Sequence, residues 1–370
     1  MHSWSNSDIT PPTLKIQKVS GSLTNAVFFV SCPSVPVVPT LLLRIYGPSS
    51  GSLINRTREL HILHSLSSRY HIGPKVYGTF ENGRIEEFFE STTLTANDLR
   101  DPKISSWIGA RMAELHQVDI ATVELQSTPA SSTFGKSSNV TWPIAATKNV
   151  KLWLVAAQEV LSLDTVSDEI RASMDLDRFK IEWDQYIHWL GKTEIIRGSS
   201  PIVFAHNDAQ YGNLLRLASL KEGHADHRQI IVVDFEYAAP NPAAFDIANH
   251  FHEWTADYHS DVPHLLHSER YPTLEQRQNF YRAYLIHRQA SSPSPTALAT
   301  SSEALETELD KLDSQVRAWS PSSHAMWALW GVVQAREVLE GKDSEPEFDY
   351  VAYAQCRMAS FRRELKALLV

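Results

Sequence analysis

Two stretches decide the fold of this 370-residue chain: VFAHNDAQYGNL at residues 203–214 and IIVVDFEY at residues 230–237. The first contains the spacing His-x-Asp-x4-Asn, which ends in Asp208 and Asn213. The second is an apolar run typical of a buried strand, and it leads into Asp-Phe-Glu at residues 234–236. Each piece alone occurs by chance or as an ordinary turn, but their order and separation together indicate one functional site.

This set of residues supplies what phosphoryl transfer requires. One carboxylate must accept the proton of the attacking hydroxyl, while a second carboxylate and a carboxamide hold Mg²⁺ against the phosphate oxygens. We therefore interpret Asp208 as the catalytic base, and Asn213 and Asp234 as catalytic magnesium ligands. The pattern is that of the protein-kinase catalytic loop, with Asp-Phe-Glu in place of Asp-Phe-Gly.

The composition argues against several other classes of protein. Hydrophobic residues make up 43% of the chain and charged residues 21%, which is enough apolar material for about two domains or lobes. The 34 basic and 43 acidic residues give a net charge of −9 without a block of Lys and Arg, so neither a nucleic acid nor an anionic membrane is expected as a partner. The two cysteines, Cys32 and Cys356, provide no disulfide framework and fit a reducing compartment.

Neither a secretory signal nor a membrane span is predicted. Residues 1–15 are polar and lack an apolar core, and the longest apolar stretch, around 325–333, is far shorter than the roughly 20 residues that a span needs. We therefore expect a cytoplasmic protein with no stable membrane insertion.

The pattern along the chain predicts an α+β, bilobal fold. Strands are predicted at 26–30, 40–46, 75–80 and 84–89, with a helix at 58–67 and a hairpin turn at Glu81-Asn82-Gly83. Long amphipathic stretches such as 104–116 and 151–163 follow. We therefore predict a small, sheet-rich N-lobe at 13–86, a hinge at 87–93 and a larger, mainly helical C-lobe at 94–370. The Ser-rich segments 127–138 and 291–302 are interpreted as surface loops or mobile insertions.

The N-lobe should supply groups that bind the phosphates. A Gly with small hydroxyl residues precedes the first predicted strand and is a candidate for a phosphate-covering loop, although it lacks the G-x-G-x-x-G pattern. Its residues are Ser20, Gly21, Ser22, Leu23, Thr24 and Asn25. Arg44 is a charge in an otherwise apolar strand and so requires a partner or a ligand, for which Glu59 on the following helix is the natural candidate. The sequence leaves open whether the two form a structural ion pair or part of the site.

Taken together, the motifs resemble those of the choline/ethanolamine kinases, a family related to aminoglycoside phosphotransferases and more distantly to protein kinases. The resemblance covers nearly the whole chain. It is carried by SGSLTN (20–25), LLLRIYG (41–47), IGPKVYGTFENGRIEEFF (72–89), HNDAQYGN (206–213), IVVDFEYAAPNPAAFDIANHFHEW (231–254), HAMWALWGVVQA (324–335) and YAQCR (353–357). The LLLRIYGPSSGS stretch and the Ala/Ser-rich inserts resemble fungal members most.

The resemblance implies a kinase-like fold, ATP and Mg²⁺ as cofactors, and often a homodimer. It implies transfer of the γ-phosphoryl group to choline or ethanolamine, the first step towards the corresponding phospholipid. By motif match, residues 20–26 form the ATP loop, Arg44 contacts phosphate, Glu87 and Phe89 belong to the hinge beside the nucleotide, and Gln210 lies near it. The chain departs from the family pattern at Ser22, where a second glycine is common, and at Asn-Pro-Ala-Ala (241–244), which replaces a usual aromatic, Asn-Tyr-rich stretch.

The family's amino-alcohol pocket is aromatic and acidic. The matching residues are Tyr237, Glu253, Trp254, Tyr258, Trp327, Trp330 and Tyr353. A quaternary ammonium has no N–H to donate, so ring faces and a carboxylate are the groups that hold it. Trp327 and Trp330 share one helix face, although an aromatic pair at this spacing is also typical of a core. We favour choline as the substrate, with an ethanolamine kinase or a dual choline/ethanolamine kinase as the alternative. An aminoglycoside-type phosphotransferase and a non-catalytic pseudokinase are less favoured.

Overall fold

An antiparallel sheet of five strands, in the order β1-β2-β3-β5-β4, forms the N-terminal lobe in this computed structural model. The structure describes residues 2–5, 8–19, 25–47, 55–124, 141–290, 302–342 and 346–369. The strands of this sheet are β1 (Lys15–Val19), β2 (Asn25–Ser31), β3 (Leu41–Tyr46), β4 (Val76–Phe80) and β5 (Gly83–Glu87). The four predicted strands are confirmed to within two residues at each end. The sequence reasoning missed β1, a mostly exposed strand at the edge of the sheet.

The predicted hairpin is present, with its turn one residue earlier than expected. Strand β4 ends at Phe80 and pairs there with Gly83, so the turn consists of Glu81 and Asn82. Gly83 lies within β5, and a Cβ atom on it would stand 2.3 Å from the carbonyl oxygen of Arg44 on the neighbouring strand β3. Glycine at this position therefore allows the two strands to approach each other closely.

Helix α1 (Arg56–Ser65) packs against this sheet and continues into a π-helical turn at Leu66–Tyr70. Asn55 caps the helix, because its side-chain oxygen accepts a hydrogen bond from the backbone N–H of Arg58 at 3.0 Å. Glu59 in the first turn is buried. The helix predicted at 58–67 is thus confirmed, and it carries an acidic side chain into the lobe.

Most of the remaining chain is helical and encloses the main hydrophobic core. Helix α9 packs on α4, α6, α7, α8 and α11, while α2 packs on α8. The helices are α2 (Pro102–Leu115), α3 (Ile120–Glu124), α4 (Ala145–Leu161), α5 (Asp168–Met174), α6 (Leu176–Arg197), α7 (Ala243–Glu253), α8 (Leu274–Ala290), α9 (Ser302–Gln334), α10 (Arg336–Leu339) and α11 (Tyr350–Leu369). The amphipathic stretches predicted at 104–116 and 151–163 correspond to α2 and α4.

Two small antiparallel sheets position the loops that carry the quoted motifs. One has the order β6-β8-β9, and the other pairs β7 with β10. Their strands are β6 (Ser91–Thr93), β7 (Ile202–Ala205), β8 (Leu214–Leu217), β9 (Ile230–Val232) and β10 (Ala239–Pro242). The run predicted as a buried strand over 230–237 is therefore a strand only to Val232, because the backbone turns at Asp234, whose φ is +68°.

The architecture confirms the predicted α+β bilobal fold. The boundaries at 13–86, 87–93 and 94–370 stay predictions, although β6 pairs with β8 and so attaches residues 91–93 to the sheets of the C-terminal lobe. The Ser-rich segment 127–138 lies outside the described residues, as does 291–302 except for Ser302, the first residue of α9. Among the helices that the structure describes, none is both long and apolar enough to cross a membrane.

Candidate active site

The loop between β7 and β8 carries Asp208, and the buried carboxylate of Asp246 on α7 holds this loop in place. Asp246 accepts hydrogen bonds from the backbone N–H groups of His206 (2.9 Å) and Asn207 (2.7 Å). Asn207 has a left-handed backbone, with φ +65°, which is unfavourable for a residue with a side chain. His116 on α2 contacts the same carboxylate at 2.9 Å. Burial opposes the charge, but the hydrogen bond and charge of His116 hold the pKa of Asp246 below its usual value.

Asp208, Asn213 and Asp234 come together along one cavity. The side-chain amide of Asn213 donates to the Oδ2 atom and the backbone carbonyl of Asp208, both at 2.9 Å. The backbone N–H of Val233 donates to the carbonyl of Asn213 at 3.0 Å, which joins the catalytic loop to the segment containing Asp234. Two stretches separated by about twenty residues in sequence therefore share one site. The catalytic roles of the three residues stay predictions.

The surroundings of Asp208 are apolar and acidic. Burial raises the pKa of Asp208 well above its usual range, and the nearby carboxylates of Glu253, Asp234 and Glu236 raise it further. A carboxylate with a raised pKa is a stronger proton acceptor than an exposed one. The geometry and the charge distribution therefore both suit a general base at this position.

The donor set around Asp234 fits a magnesium ion. The Oδ2 atom of Asp234 accepts from Arg44, but its Oδ1 atom is buried without a hydrogen-bond partner among the described residues. The Glu59, Asp234 and Glu236 side chains each offer an oxygen within 4.8 Å of the others, and Asn213 adds a carboxamide oxygen. Carboxylate and amide oxygens are the ligands that Mg²⁺ prefers. An uncompensated buried oxygen is costly, and a cation bound here would compensate the Oδ1 atom.

Glu236 is a residue of this site to which the sequence reasoning gave no role. Burial and the charges of Asp234 and Glu59 raise its pKa to about 7, although Arg56 donates to it at 3.2 Å. The signal was available, because Glu236 completes the Asp-Phe-Glu tripeptide that was used to locate Asp234.

The expected pairing of Arg44 with Glu59 is wrong. The guanidinium of Arg44 instead contacts Asp234 at 3.0 Å and Glu86 at 3.4 Å. Glu59 is bound by Arg84 and Arg56, each at 2.8 Å. Arg44 and Arg84 lie opposite each other on β3 and β5, so strand register brings a second arginine to Glu59. Arg44 is thereby left to face the catalytic segment.

The other predicted nucleotide contacts occupy different surroundings. Ser20, Gly21, Ser22, Leu23 and Thr24 lie outside the described residues, whereas Asn25 is buried and accepts from Arg56 at 3.3 Å. Gln210 lines the cavity, and its side chain accepts from the backbone N–H of Gly212 at 2.6 Å. Glu87 is hydrogen-bonded to Lys75, and the carbonyl of Phe89 accepts from Ser91 at 3.0 Å. Neither Glu87 nor Phe89 lines the cavity.

Aromatic rings also line this cavity, whose volume is about 320 Å³, and we call the part that they line its aromatic end. The rings of Tyr237, Trp327 and Trp330 meet edge to face, with centroids 5.3 Å and 5.2 Å apart. Trp330 donates its indole N–H to the Tyr237 hydroxyl at 2.8 Å, and Trp327 donates to Asn249 at 2.7 Å. Six predicted pocket residues line the cavity: Tyr237, Glu253, Tyr258, Trp327, Trp330 and Tyr353. Tyr211 and Phe348 also line it, and sequence reasoning missed both of them.

Trp254 is the predicted pocket residue that the structure places elsewhere. Its side chain is buried in the core against Phe251, with Arg100 over the ring at 5.5 Å. Its indole N–H donates to His250 at 3.3 Å. Because Trp254 follows Glu253 directly at the end of α7, it leaves the helix in a different direction and points away from the cavity.

A second cavity, of about 150 Å³, contains a histidine pair that fits a metal ion poorly. His252, His324 and Glu364 each offer a ligand atom within 4.8 Å of the others. However, Arg357 donates to Nδ1 of His324 at 3.4 Å, and Arg363 also lines this cavity. Metal-bound histidines usually donate their second nitrogen to an acceptor, whereas here a guanidinium occupies that side. We therefore regard the pair as structural.

The fold and the site together define a small-molecule phosphotransferase of the kinase-like class, with an acidic catalytic end and an aromatic end in one cavity. The chain belongs to the choline/ethanolamine kinase family, whose model matches residues 16–362.

Individual relatives agree with this assignment. The chain is 34% identical to a choline kinase of Schizosaccharomyces pombe, over 96% of this chain and 84% of that protein. It is 30% identical to an ethanolamine kinase of Saccharomyces cerevisiae, over 91% of this chain and 62% of that protein. The crystal structure of a choline kinase from Cryptosporidium parvum superimposes with a TM-score of 0.68 at 25% identity, covering 98% of this chain and 92% of that one. The resemblance to the choline/ethanolamine kinases that the sequence motifs indicated is therefore confirmed.

Proposed function

We propose that the protein transfers the γ-phosphoryl group of ATP to the hydroxyl of choline and so produces phosphocholine. The observation that carries this proposal is that one cavity is lined both by the carboxylates of Asp208 and Asp234 and by the rings of Trp327, Trp330 and Tyr353. Choline has a hydroxyl at one end and a trimethylammonium group at the other. The cavity therefore offers a carboxylate for the hydroxyl and ring faces for the cation.

The aromatic end suits a quaternary ammonium better than a neutral alcohol. Each ring face that meets a cation contributes roughly 0.5–2 kcal/mol, and no hydrogen-bond donor on the cation is needed. The indole N–H groups of both tryptophans are bound by protein acceptors, so the rings present apolar surface to a ligand. Glu253 adds a carboxylate to this end of the cavity.

In the proposed mechanism, Asp208 accepts the proton of the choline hydroxyl while the hydroxyl oxygen attacks the γ-phosphorus of ATP. The bond from the γ-phosphorus to the β–γ bridging oxygen breaks, and ADP leaves with that oxygen. Asn213 orients the Asp208 carboxylate through the hydrogen bond to Oδ2. Asp234 and Asn213 would hold Mg²⁺, which neutralises charge on the phosphate oxygens when it is bound. Arg44, which binds Asp234, would contact the same phosphates. The carboxylates that crowd Asp208 favour proton uptake from the hydroxyl.

Ethanolamine is the second candidate substrate. The Glu253 carboxylate and the Tyr258 hydroxyl, which are hydrogen-bonded to each other at 2.6 Å, are acceptors that a primary ammonium could use. Turnover with both alcohols at equal concentration, in the presence of Mg²⁺ and ATP, separates the two. We expect a higher kcat/KM for choline, and a clear preference for ethanolamine would overturn that choice.

The same assay tests the remaining alternatives. A pseudokinase would turn over neither alcohol, and an antibiotic phosphotransferase would prefer a polycationic aminoglycoside. The homodimer implied by the resemblance and the cytoplasmic location expected from the sequence remain predictions; sedimentation velocity on the purified protein tests the dimer.

A further inference from the structure

Arg357 on α11 binds two polar groups of the proposed amino-alcohol pocket at once. Its Nη2 atom donates to Oε1 of Glu253 at 2.8 Å, and its Nε atom donates to the Tyr353 hydroxyl at 3.0 Å. The third nitrogen, Nη1, contacts Nδ1 of His324 at 3.4 Å. The Arg357 side chain is fully buried and does not line the cavity. Arg357 therefore stands behind the pocket and holds two of its walls.

Glu253 depends on this arginine because it is almost completely buried, with 2% of its surface exposed. Its second oxygen accepts from the Tyr258 hydroxyl at 2.6 Å, so the only cation bound to it in the described part of the chain is Arg357. Burial of an ionised carboxylate without a cationic partner strongly favours its neutral form. The guanidinium thus stabilises the ionised form of Glu253.

We propose that Arg357 is a positioning residue that keeps Glu253 ionised and aimed at the substrate cation, and that it thereby sets the affinity for the amino alcohol without taking part in phosphoryl transfer. This inference rests on the proposed function, because it assigns the aromatic end of the cavity to the ammonium group. It predicts that the effect of Arg357 runs through the charge of Glu253.

Several titratable side chains surround Glu253, and each could contribute to the pH dependence of the kinetics. Tyr258 follows α7, Tyr353 and Arg357 belong to α11, and Tyr211 and Asp208 face it from the catalytic loop. His324 on α9 lies behind Arg357. Burial raises the pKa values of the three tyrosines, so they stay neutral through the working range. The charge of Glu253 raises the pKa of Asp208, so the titration of Asp208 is followed separately in the pH profile of kcat.

The test compares steady-state kinetics of wild type, Arg357→Met, Arg357→Lys and Glu253→Gln/Arg357→Met from about pH 8.5 to about pH 6.5. In Arg357→Met we expect the choline KM to rise about tenfold or more near neutral pH, with kcat within about threefold and the ATP KM unchanged. The choline KM should rise further as the pH falls, because Glu253 then takes up a proton. In wild type, where Arg357 binds Glu253, the choline KM should rise less over the same pH range.

The other two variants separate charge from packing. Lysine keeps the charge but cannot make the three contacts together, so Arg357→Lys should show a smaller rise in choline KM without the pH dependence. The double variant carries no unpaired buried charge, so its choline KM should be raised but independent of pH. These two variants also decide the matter if Arg357→Met fails to fold.

Arg362→Met is the matched control, because Arg362 is a partly buried arginine on the same helix that binds Glu182 at 2.9 Å outside the pocket. Its choline KM should stay within about twofold of wild type. The inference is overturned if Arg357→Met raises the choline and ATP KM values equally, lowers kcat alone, or shows the wild-type pH profile. A wild-type enzyme that phosphorylates neither choline nor ethanolamine would instead overturn the proposed function.

Discussion

Asp208 lies in a cluster of acidic side chains that a stable fold alone would not favour. Glu253, Asp234 and Glu236 all raise its pKa in addition to the effect of burial. Asn213 contributes the compensating hydrogen bond to its side chain. Such a concentration of like charge destabilises the folded state. Its presence therefore indicates a role in catalysis.

Replacement of Asp208 by Asn should lower kcat by roughly 10²–10⁴-fold, because the amide cannot accept the proton of the hydroxyl. The melting temperature should be unchanged or higher, since a buried carboxylate with a raised pKa is removed. Phosphocholine formation and thermal unfolding are the two measurements. Asp310→Asn, at an exposed position of α9, is the control and should change neither. A near-wild-type kcat in Asp208→Asn would show that another group is the base.

The contacts that sequence spacing constrains and those that it does not differ in what fixes the positions of their residues. Asp208 and Asn213 are five residues apart in one loop, so their spacing alone constrains their geometry. The partner of Glu59 depends on the register between β3 and β5, which places Arg84 opposite Arg44. That register is a property of the assembled sheet, and a motif carries no information about it.

Helix α7 organises the site because one of its faces points at the catalytic loop and the pocket. Asp246, Asn249 and Glu253 follow each other at intervals of three and four residues, which is the helical repeat. Asn249 donates to the carbonyl of Asn207 at 3.1 Å and accepts from Trp327 at 2.7 Å, so it joins the catalytic loop to α9. The misplaced Trp254 lies off this face, at a helix end where sequence periodicity is least informative.

Asp246→Asn should disturb the catalytic loop without touching the substrate. In wild type, two backbone N–H groups donate to the two carboxylate oxygens of Asp246. Asn has only one side-chain oxygen, so one of these N–H groups would face an amide nitrogen instead. An unsatisfied buried donor costs about 1–3 kcal/mol, and we expect the free energy of unfolding to fall by that amount. We also expect kcat to fall more than the choline KM rises. Urea denaturation and steady-state kinetics measure the two effects, and wild-type values for both would contradict this role of Asp246.

Helix α9 places Trp327 and Trp330 one turn apart, with both rings lining the cavity. Trp327→Ala should raise the choline KM by roughly 2- to 30-fold, which corresponds to the 0.5–2 kcal/mol of one cation–π contact, and should leave the ATP KM nearly unchanged. Trp319→Ala on the same helix is the control: Trp319 donates to Glu194 at 2.9 Å away from the cavity, so its loss should lower stability without changing the choline KM. Equal effects of Trp327→Ala on both substrates would return Trp327 to a purely structural role.

At the scale of the whole molecule, charged contacts join the two lobes beside the catalytic segment. Arg44 on β3 binds Asp234, and Arg56 on α1 binds Glu236, across about 180–190 positions of sequence. The bilobal division could be predicted, because the change from strand to helix periodicity is a local property of the chain. The contacts between the lobes could not be predicted from the sequence, since they depend on how the two folded lobes meet.

Acidification should destabilise the folded protein at pH values well above those at which carboxylates usually take up protons. Burial lowers the pKa values of His206, His250, His252 and His324, that of His250 to about 4, so all four bind fewer protons when folded than when unfolded. Asp208 and Glu236 act in the opposite sense, because their raised pKa values let the folded state bind protons that the unfolded state has released. Between about pH 6 and pH 5, four histidines against two carboxylates leave the unfolded state with more bound protons.

Because the unfolded state binds the excess, the free energy of unfolding should decrease as the pH falls through this window, by roughly 1–3 kcal/mol per pH unit. Urea denaturation at a series of pH values measures the slope. Glu236→Gln sharpens the test: with one opposing carboxylate gone, the decrease should become steeper than in wild type. A flat profile in both proteins, or a shallower one in Glu236→Gln, would mean that the buried histidines do not resist protonation as their surroundings require.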